Sequence, residues 1–346
     1  YKSQDRFVFA SEMKALWAVG VPRIINEESL YDYLMFNIIE HPEDRERTFY
    51  ENIYKIDAAQ CLVIDRFGKI IKYKYWSLDC INQNNRIKLE DASIEFYQLL
   101  LDSVKIRMRS DVPIGSSLSG GLDSSAIVCL INQLKNGNQR QTTFSARFKN
   151  FEKDEGEYMA AVVKEVNAEA FYTWPDEKSF VSEFQKLCYF QEEPFGSTSI
   201  FAQWEVMKLA KANNVTVLLD GQGADEQLAG YYFYFNDYYR NLKKTNSSLF
   251  RNELSSYKIN YGVDWNKPFV KMIQNEYPKV YQKYRSVKDF FEINQIDDYL
   301  NKQFLKRWRT KRKPVILFNT LKESLIHSLT KGGLQELLRY ADRNSM

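Results

Sequence analysis

Two glycine-bearing corners in this sequence carry the residue types needed to handle a polyphosphate. The first is Ser119-Gly120-Gly121-Leu122-Asp123-Ser124-Ser125. It follows Val112 to Leu118, a short strand candidate, and precedes Ala126, Ile127, Leu130, Ile131 and Leu134, whose spacing predicts a helix. Adjacent glycines let the backbone turn tightly and bring N–H groups against a ligand. A helix opening near Asp123 adds unpaired N–H donors and a positive dipole end. Ser119, Ser124 and Ser125 add hydroxyl donors. Together these make an anion site suited to phosphate oxygens, at the carboxyl end of a strand, where open α/β sheets place ligands. The plain alternative is a Gly-Gly turn capped by Asp and Ser. Six such fixed positions coincide by chance with odds on the order of 10⁻⁴ or less.

The second corner, Asp220-Gly221-Gln222-Gly223-Ala224-Asp225-Glu226, follows Val215 to Leu219, a β-branched apolar run short enough for a buried strand. This pattern predicts Asp123 and Asp225 at the ends of two strands of one sheet. Two carboxylates beside a polyphosphate suit Mg²⁺, which takes a few carboxylate oxygens together with phosphate and water. Taken alone, Asp225 and Glu226 are equally an ordinary capped helix start. No Lys follows the first corner as a Walker loop requires, and GxGxxG is absent, so both of those phosphate sites are excluded.

The elements that must position these corners alternate. Phe96, Leu100, Val104 and Met108 predict an amphipathic helix, Thr142 to Phe148 a strand, Tyr158 to Val166 and Phe180 to Cys188 helices, and Ile200, Phe201, Trp204 and Met207 another. Strands alternating with helices imply a parallel sheet covered on both faces, an α/β fold. Before residue 80 the pattern is mostly β: Arg6 to Ala10 reads as a strand, Ser29 to Phe36 as a helix, and Cys61 to Asp65 with Ile70 to Tyr73 as a hairpin across Arg66-Phe67-Gly68-Lys69. Asn82-Gln83-Asn84-Asn85-Arg86 has linker composition and marks the domain boundary, giving domains 1–82 and 83–346. Beyond Tyr231 the chain is aromatic-rich and reads as helical.

Composition narrows the classes. The chain has 346 residues, enough for about two domains at roughly 150 each. Its 48 Lys and Arg against 45 Asp and Glu argue against a basic nucleic-acid coat. Two His, His41 and His327, exclude a multi-His metal centre. Four scattered Cys, Cys61, Cys80, Cys129 and Cys188, exclude a zinc finger or disulfide scaffold and read as packed thiols. No apolar run reaches about 18 residues and no signal peptide is evident, so a cytoplasmic protein with no membrane partner is expected. The chain opens on Tyr1 in patterned sequence, so a fragment is expected.

SGGLDSS matches the pyrophosphate (PP) loop of enzymes that cleave ATP between its α and β phosphates. With Arg109-Ser110-Asp111-Val112-Pro113-Ile114-Gly115 before it and LLDGQGADEQLAGY further on, the chain resembles the synthetase domain of glutamine-hydrolysing asparagine synthetases. Phe9 to Leu16, Thr48 to Ile53 with Tyr75-Trp76, and Ala341 to Met346 resemble further family segments. The resemblance implies a PP-loop ATP-pyrophosphatase domain (adenine nucleotide alpha hydrolase-like) preceded by the C-terminal part of an N-terminal-nucleophile glutaminase domain. It implies a ligase with ATP and Mg²⁺ as cofactors. A carboxylate, aspartate in the family, is activated as acyl-AMP with release of pyrophosphate, and ammonia from glutamine then forms the amide. By matching positions, Leu118, Ala146, Asp220 and Gly221 would cradle adenine and ribose, and Ser119, Gly120, Gly121, Asp123, Ser124 and Ser125 would hold pyrophosphate. Asp123 and Asp225 would hold the metal and act, with Gln222, in catalysis. Asp154 or Glu155 would reach nucleotide or substrate, or stand as solvated charges. A homodimer is the family analogy.

The sequence departs from the family at Gln222, where asparagine synthetases carry a Glu assigned to forming the aspartyl adenylate. Gln keeps shape and hydrogen bonding but cannot ionise. Amidation of another carboxylate, such as a polysaccharide sugar acid or a lactam precursor, therefore stays open, as does a non-catalytic nucleotide binder. The N-terminal nucleophile Cys and the family's late lysine have no counterpart here. A tRNA-modifying enzyme with the same loop is a further alternative. Its support is Lys302 to Lys313, which holds Lys302, Lys306, Arg307, Arg309, Lys311, Arg312, Lys313 and Trp308 with no acid. A solvated basic face is the simpler account, and no nucleic-acid partner is expected.

Overall fold

The computed structural model describes residues 1–78, 86–135, 140–149, 151–152, 154–262, 265, 277, 280–281, 299–308, 310–311, 316 and 318–346. Cys80 and the linker residues Asn82 to Asn85 lie outside the described residues, as do Lys153, Arg309, Arg312 and Lys313. Two compact units are formed. One comprises Tyr1–Trp76 with Asp225–Glu336, the other Ser77–Ala224 with Leu337–Met346.

The second unit is built on a four-stranded parallel sheet of β3 (Ile114–Ser117), β4 (Thr142–Ala146), β5 (Glu169–Thr173) and β6 (Val217–Leu219), in the order β5-β4-β3-β6. The helices between strands are α4 (Leu122–Leu134), α5 (Gly156–Val166), α6 (Glu177–Gln191) and α7 (Ser199–Ala212), and α3 (Leu89–Arg107) precedes the sheet. Alternation along the strands sends successive side chains to opposite faces. Leu118, just past β3, packs with Val128, Met159 and Val166 of α4 and α5. Phe144 of β4 faces the other way, onto Val206 and Ala210 of α7, and stacks on Phe171 of β5 with ring centroids 5.3 Å apart. Burying a side chain of that size contributes about 1.5–3 kcal/mol. Both faces are covered, as the alternating pattern predicts for an α/β fold.

Strand β5 was not expected from the sequence. Its five residues are all half-buried, so neither strict alternation nor a fully apolar run marks it. It exists because β4 offers it a complete ladder, from Thr142↔Glu169 to Ala146↔Thr173.

In the other unit, β1 (Gln60–Ile64) and β2 (Ile70–Lys74) form the expected hairpin, closing on Ile64↔Ile70. The Asp65 carboxylate accepts from the Phe67 and Lys69 backbone N–H groups (2.8 and 2.9 Å), and Gly68 takes a positive φ of 77°. The strand expected at Arg6 to Ala10 is instead a single bridge, Lys2↔Phe7. Ser3 and Asp5 fold this segment back on itself, with the Ser3 N–H donating to the Arg6 carbonyl (2.9 Å). Helix α2 (Glu27–Phe36) starts on the side chain of Asn26, which accepts from the Ser29 N–H. Its Tyr31 and Phe36 pack with Leu305 of helix Lys302–Trp308. Helices Tyr234–Thr245 and Ser247–Tyr261 follow, as the aromatic-rich pattern predicts, around Tyr239, Tyr257 and Trp265.

The basic stretch is partly neutralised within this unit. Arg307 pairs with Glu27, and Lys311 pairs with Glu28 (2.6 Å) and buried Asp32 (2.7 Å). Charges committed to α2 are not presented to a phosphate backbone, which weakens the tRNA alternative. Cys129 and Cys188 are exposed rather than packed, a correction to the sequence reading. Both sit on outward faces of amphipathic helices, where the apolar stripe alone decides what is buried.

Candidate active site

Strands β3 and β6 are neighbours, paired from Ile114↔Val217 to Ser116↔Leu219. The chain winds outward from β3 to β4 and β5, then returns to the other side of β3. The carboxyl ends of β3 and β6 therefore flank the point where strand order reverses, the crevice in which open α/β sheets bind ligands. Both glycine corners emerge there.

The first corner is shaped by its own serines. The Leu118 N–H donates to the Phe144 carbonyl (3.0 Å) and ends the strand. The Ser124 hydroxyl donates to the Gly121 carbonyl (3.1 Å) and accepts from the Ser119 N–H (3.2 Å). Ser119 Oγ lies 3.0 Å from Ser124 Oγ and accepts from the Gly121 N–H (3.3 Å). Gly120 takes φ +92°, a region L side chains rarely adopt, and a β-carbon there would lie 2.8 Å from Glu155 Cβ and 2.9 Å from the Glu155 carbonyl oxygen. Gly121 precedes α4 with no side-chain cap, so the positive end of a 13-residue helix opens directly at this corner, the kind of helix start at which anions bind. Asp123 and Ser125 stand half-buried in that first turn.

The second corner lies on top of this helix start. A β-carbon on Gly221 would come within 2.8 Å of Asp123 Cβ and 2.9 Å of the Ser124 nitrogen. Asp220 accepts from the Gln222 N–H (3.2 Å), and its burial pushes the carboxyl above the usual carboxylate range. Gln222 itself is exposed. Ala146 ends β4, the strand on the other side of β3. Leu118, Ser119, Gly120, Gly121, Asp123, Ser124, Ser125, Ala146, Asp220, Gly221 and Gln222 thus lie at the carboxyl edge of one sheet. Asp225 belongs to the other unit, where the Gly230 N–H donates to its carbonyl (2.9 Å).

A third segment, ahead of α5, was only half legible. Asp154 binds Arg147 through Nε (2.9 Å) and Nη2 (2.8 Å) and accepts from the Phe148 N–H (2.9 Å). It is half-buried and committed to Arg147, whereas exposed Glu155 sits against Gly120. Arg147 also lies 5.2 Å from the centroid of Trp174. No periodicity links Arg147 to Asp154, so no sequence signal marks the pair.

Arg147 holds the Asp154 carboxyl below its ordinary value. A depressed folded pKa stabilises fully above the unfolded value near 3.9 and is lost as pH falls through the folded value. Asp154→Asn is expected to cost about 1 kcal/mol near neutrality, with the deficit shrinking as pH falls through the folded value. Melting temperature of both proteins against pH checks this; a deficit that persists at low pH would refute it. Asp220 works in the opposite sense. Its raised pKa gives a contribution complete below about 3.9 and lost as pH rises through the folded value.

The model of the asparagine synthase family matches residues 95–346. The chain belongs to that family. A glutamine amidotransferase domain model matches residues 1–76. A Methanocaldococcus jannaschii protein whose name places it among the glutamine-hydrolyzing asparagine synthetases is 35% identical over 243 residues, 69% of this chain and 45% of its own. Bacillus subtilis asparagine synthetase 1 is 28% identical over 232 residues, 66% of this chain and 35% of its own. Amidase chry2 of Gibberella zeae is 24% identical over 242 residues, 66% of this chain and 35% of its own. The chain thus spans less than half the length of these relatives. Family membership accounts for the parallel sheet with its PP loop and for the amidotransferase-like N-terminal segment. No helix among the described residues is long and apolar enough to cross a membrane.

Proposed function

We propose that the intact protein is an ATP-dependent ligase that forms an amide. A carboxylate, aspartate first among candidates, displaces pyrophosphate from ATP to give an acyl-AMP, and ammonia derived from glutamine then attacks the acyl carbon and releases AMP. The observation that carries this reading is the seating of Gly221 on the Asp123–Ser124 start of α4 at the strand-order reversal. Two glycine loops there bring a helix start without a side-chain cap and a carboxylate to one crevice. The role of the chain's own groups is positioning and charge. The α4 amides and the Gly120–Gly121 backbone bind phosphate oxygens where negative charge builds on the leaving pyrophosphate. Leu118, Ala146, Asp220 and Gly221 flank the nucleoside.

Among the described residues no three His, Cys, Asp or Glu converge as a metal-binding group. A Mg²⁺ carried on ATP phosphates needs only one or two protein carboxylates, and half-buried Asp123 in the first turn of α4 fits that need. Asp225 is its proposed partner on sequence grounds. The metal would supply charge neutralisation on the phosphates. Gln222 orients substrate by hydrogen bonding and takes no proton. The domain boundary is proposed at residues 82 and 83, and the family matches ending at 76 and starting at 95 support it. Cytoplasmic residence and a homodimer are proposed by analogy with the family.

Gln222 favours one second reading, the same adenylation on a different carboxylate. Pyrophosphate release by the intact protein, with aspartate, a uronic acid and an amino-acid lactam precursor compared, decides between them. Aspartate-dependent release that yields asparagine with ammonia is the expected result. Release with another carboxylate alone would move the substrate assignment, and none with any would end the ligase reading.

A further inference from the structure

The opposite edge of the same sheet holds a cleft that the ligase chemistry does not use. It has a volume of about 530 Å³ and is lined by the amino ends of β3 and β4 and the Asn213–Val215 segment leading into β6, within the roughly 300–1,000 Å³ range of small-molecule sites. Two polar side chains on its wall are almost wholly buried and have an oxygen without a partner. Ser116 is 1% exposed, and its Oγ makes no hydrogen bond; Gln141 is 5% exposed, and its Oε1 makes none. The Gln141 amide nitrogen donates to the Val128 carbonyl (2.9 Å), so the free oxygen is fixed as an acceptor and calls for an N–H donor. Lys135 and Arg140 also line the cleft. Among the described residues Lys135 forms no ion pair, while Arg140 is oriented by Glu169 (3.2 Å). Helices α3, α4 and α7 end immediately before Met108, Lys135 and Asn213 of the lining, so the negative ends of three helix dipoles converge on it.

We propose that this cleft is a second ligand site, for a small zwitterion of which a free amino acid is the simplest, its carboxylate on Lys135 and Arg140 and its ammonium on Gln141 Oε1 and the helix ends. Met108 and Ile131 supply apolar wall for a side chain. The site lies at the amino edge and the PP loop at the carboxyl edge of the same strands, so its ligand does not compete with nucleotide. It is independent of which carboxylate the enzyme activates.

Calorimetric titration of the intact protein with L-asparagine, L-aspartate and L-glutamine, each with and without saturating ATP, tests this. Saturable binding of at least one is expected, unchanged by ATP and by Asp123→Asn, and weakened about tenfold or more by Lys135→Ala and by Gln141→Leu. Lys135 is half-buried just past the end of α4, so its variant keeps the fold if the Gln141 variant does not. Failure of all three amino acids to saturate overturns the site, as does binding that Lys135→Ala leaves intact or Asp123→Asn abolishes.

Discussion

Gly120→Ala is expected to reduce pyrophosphate release by the intact protein at least about 10²-fold and to destabilise it by about 2–5 kcal/mol. Two costs add. A left-handed backbone at φ +92° charges an L side chain roughly 1–2 kcal/mol. The new methyl would meet the Glu155 β-carbon at 2.8 Å and its backbone oxygen at 2.9 Å, and backbone cannot swing aside as a side-chain tip can. Relief requires the loop or the start of α5 to move, which displaces the amides proposed to bind phosphate. Melting temperature and a pyrophosphate-release assay read the two effects. Wild-type stability in the variant would show that the loop tolerates a side chain, and the close seating on Glu155 would then be wrong.

Asp123→Asn is expected to separate chemistry from folding. The carboxylate sits in the first turn of α4, where a negative charge gains about 0.3–1 kcal/mol from the helix dipole, so stability falls by less than about 1 kcal/mol. Pyrophosphate release is expected to fall by about 10²–10³-fold, and the Mg²⁺ concentration giving half-maximal rate to rise, because the amide keeps the shape and loses the anionic oxygen that a hard cation prefers. An unchanged rate with unchanged Mg²⁺ dependence would remove Asp123 from the metal and pyrophosphate roles together.

Much of this was local and therefore legible from residues alone. The doubled glycine of the first corner, the serines around it and the switch from strand to helix pattern mark the strand–turn–helix corner proposed as an anion site without any tertiary information, because turn conformation and helix polarity are properties of a few consecutive residues. The hairpin at residues 60–74 and the helices α4, α5 and α7 were readable for the same reason. Gln222 was legible as a departure, since loss of an ionisable group is a matter of residue type.

Adjacency was not legible. That β6 returns beside β3, that Gly221 lies on the start of α4, and that Asp154 is held by Arg147 while Glu155 backs Gly120 all depend on strands and loops far apart in sequence. Strand β5 has no pattern of its own and forms because β4 supplies a ladder. The helix-forming and turn-forming tendencies of a segment act within a few residues, whereas pairing order and buried charge partners are settled only when the whole sheet closes on its helices. The sequence by itself determined which groups this protein has for the proposed phosphate site, and the tertiary structure decided which of them meet.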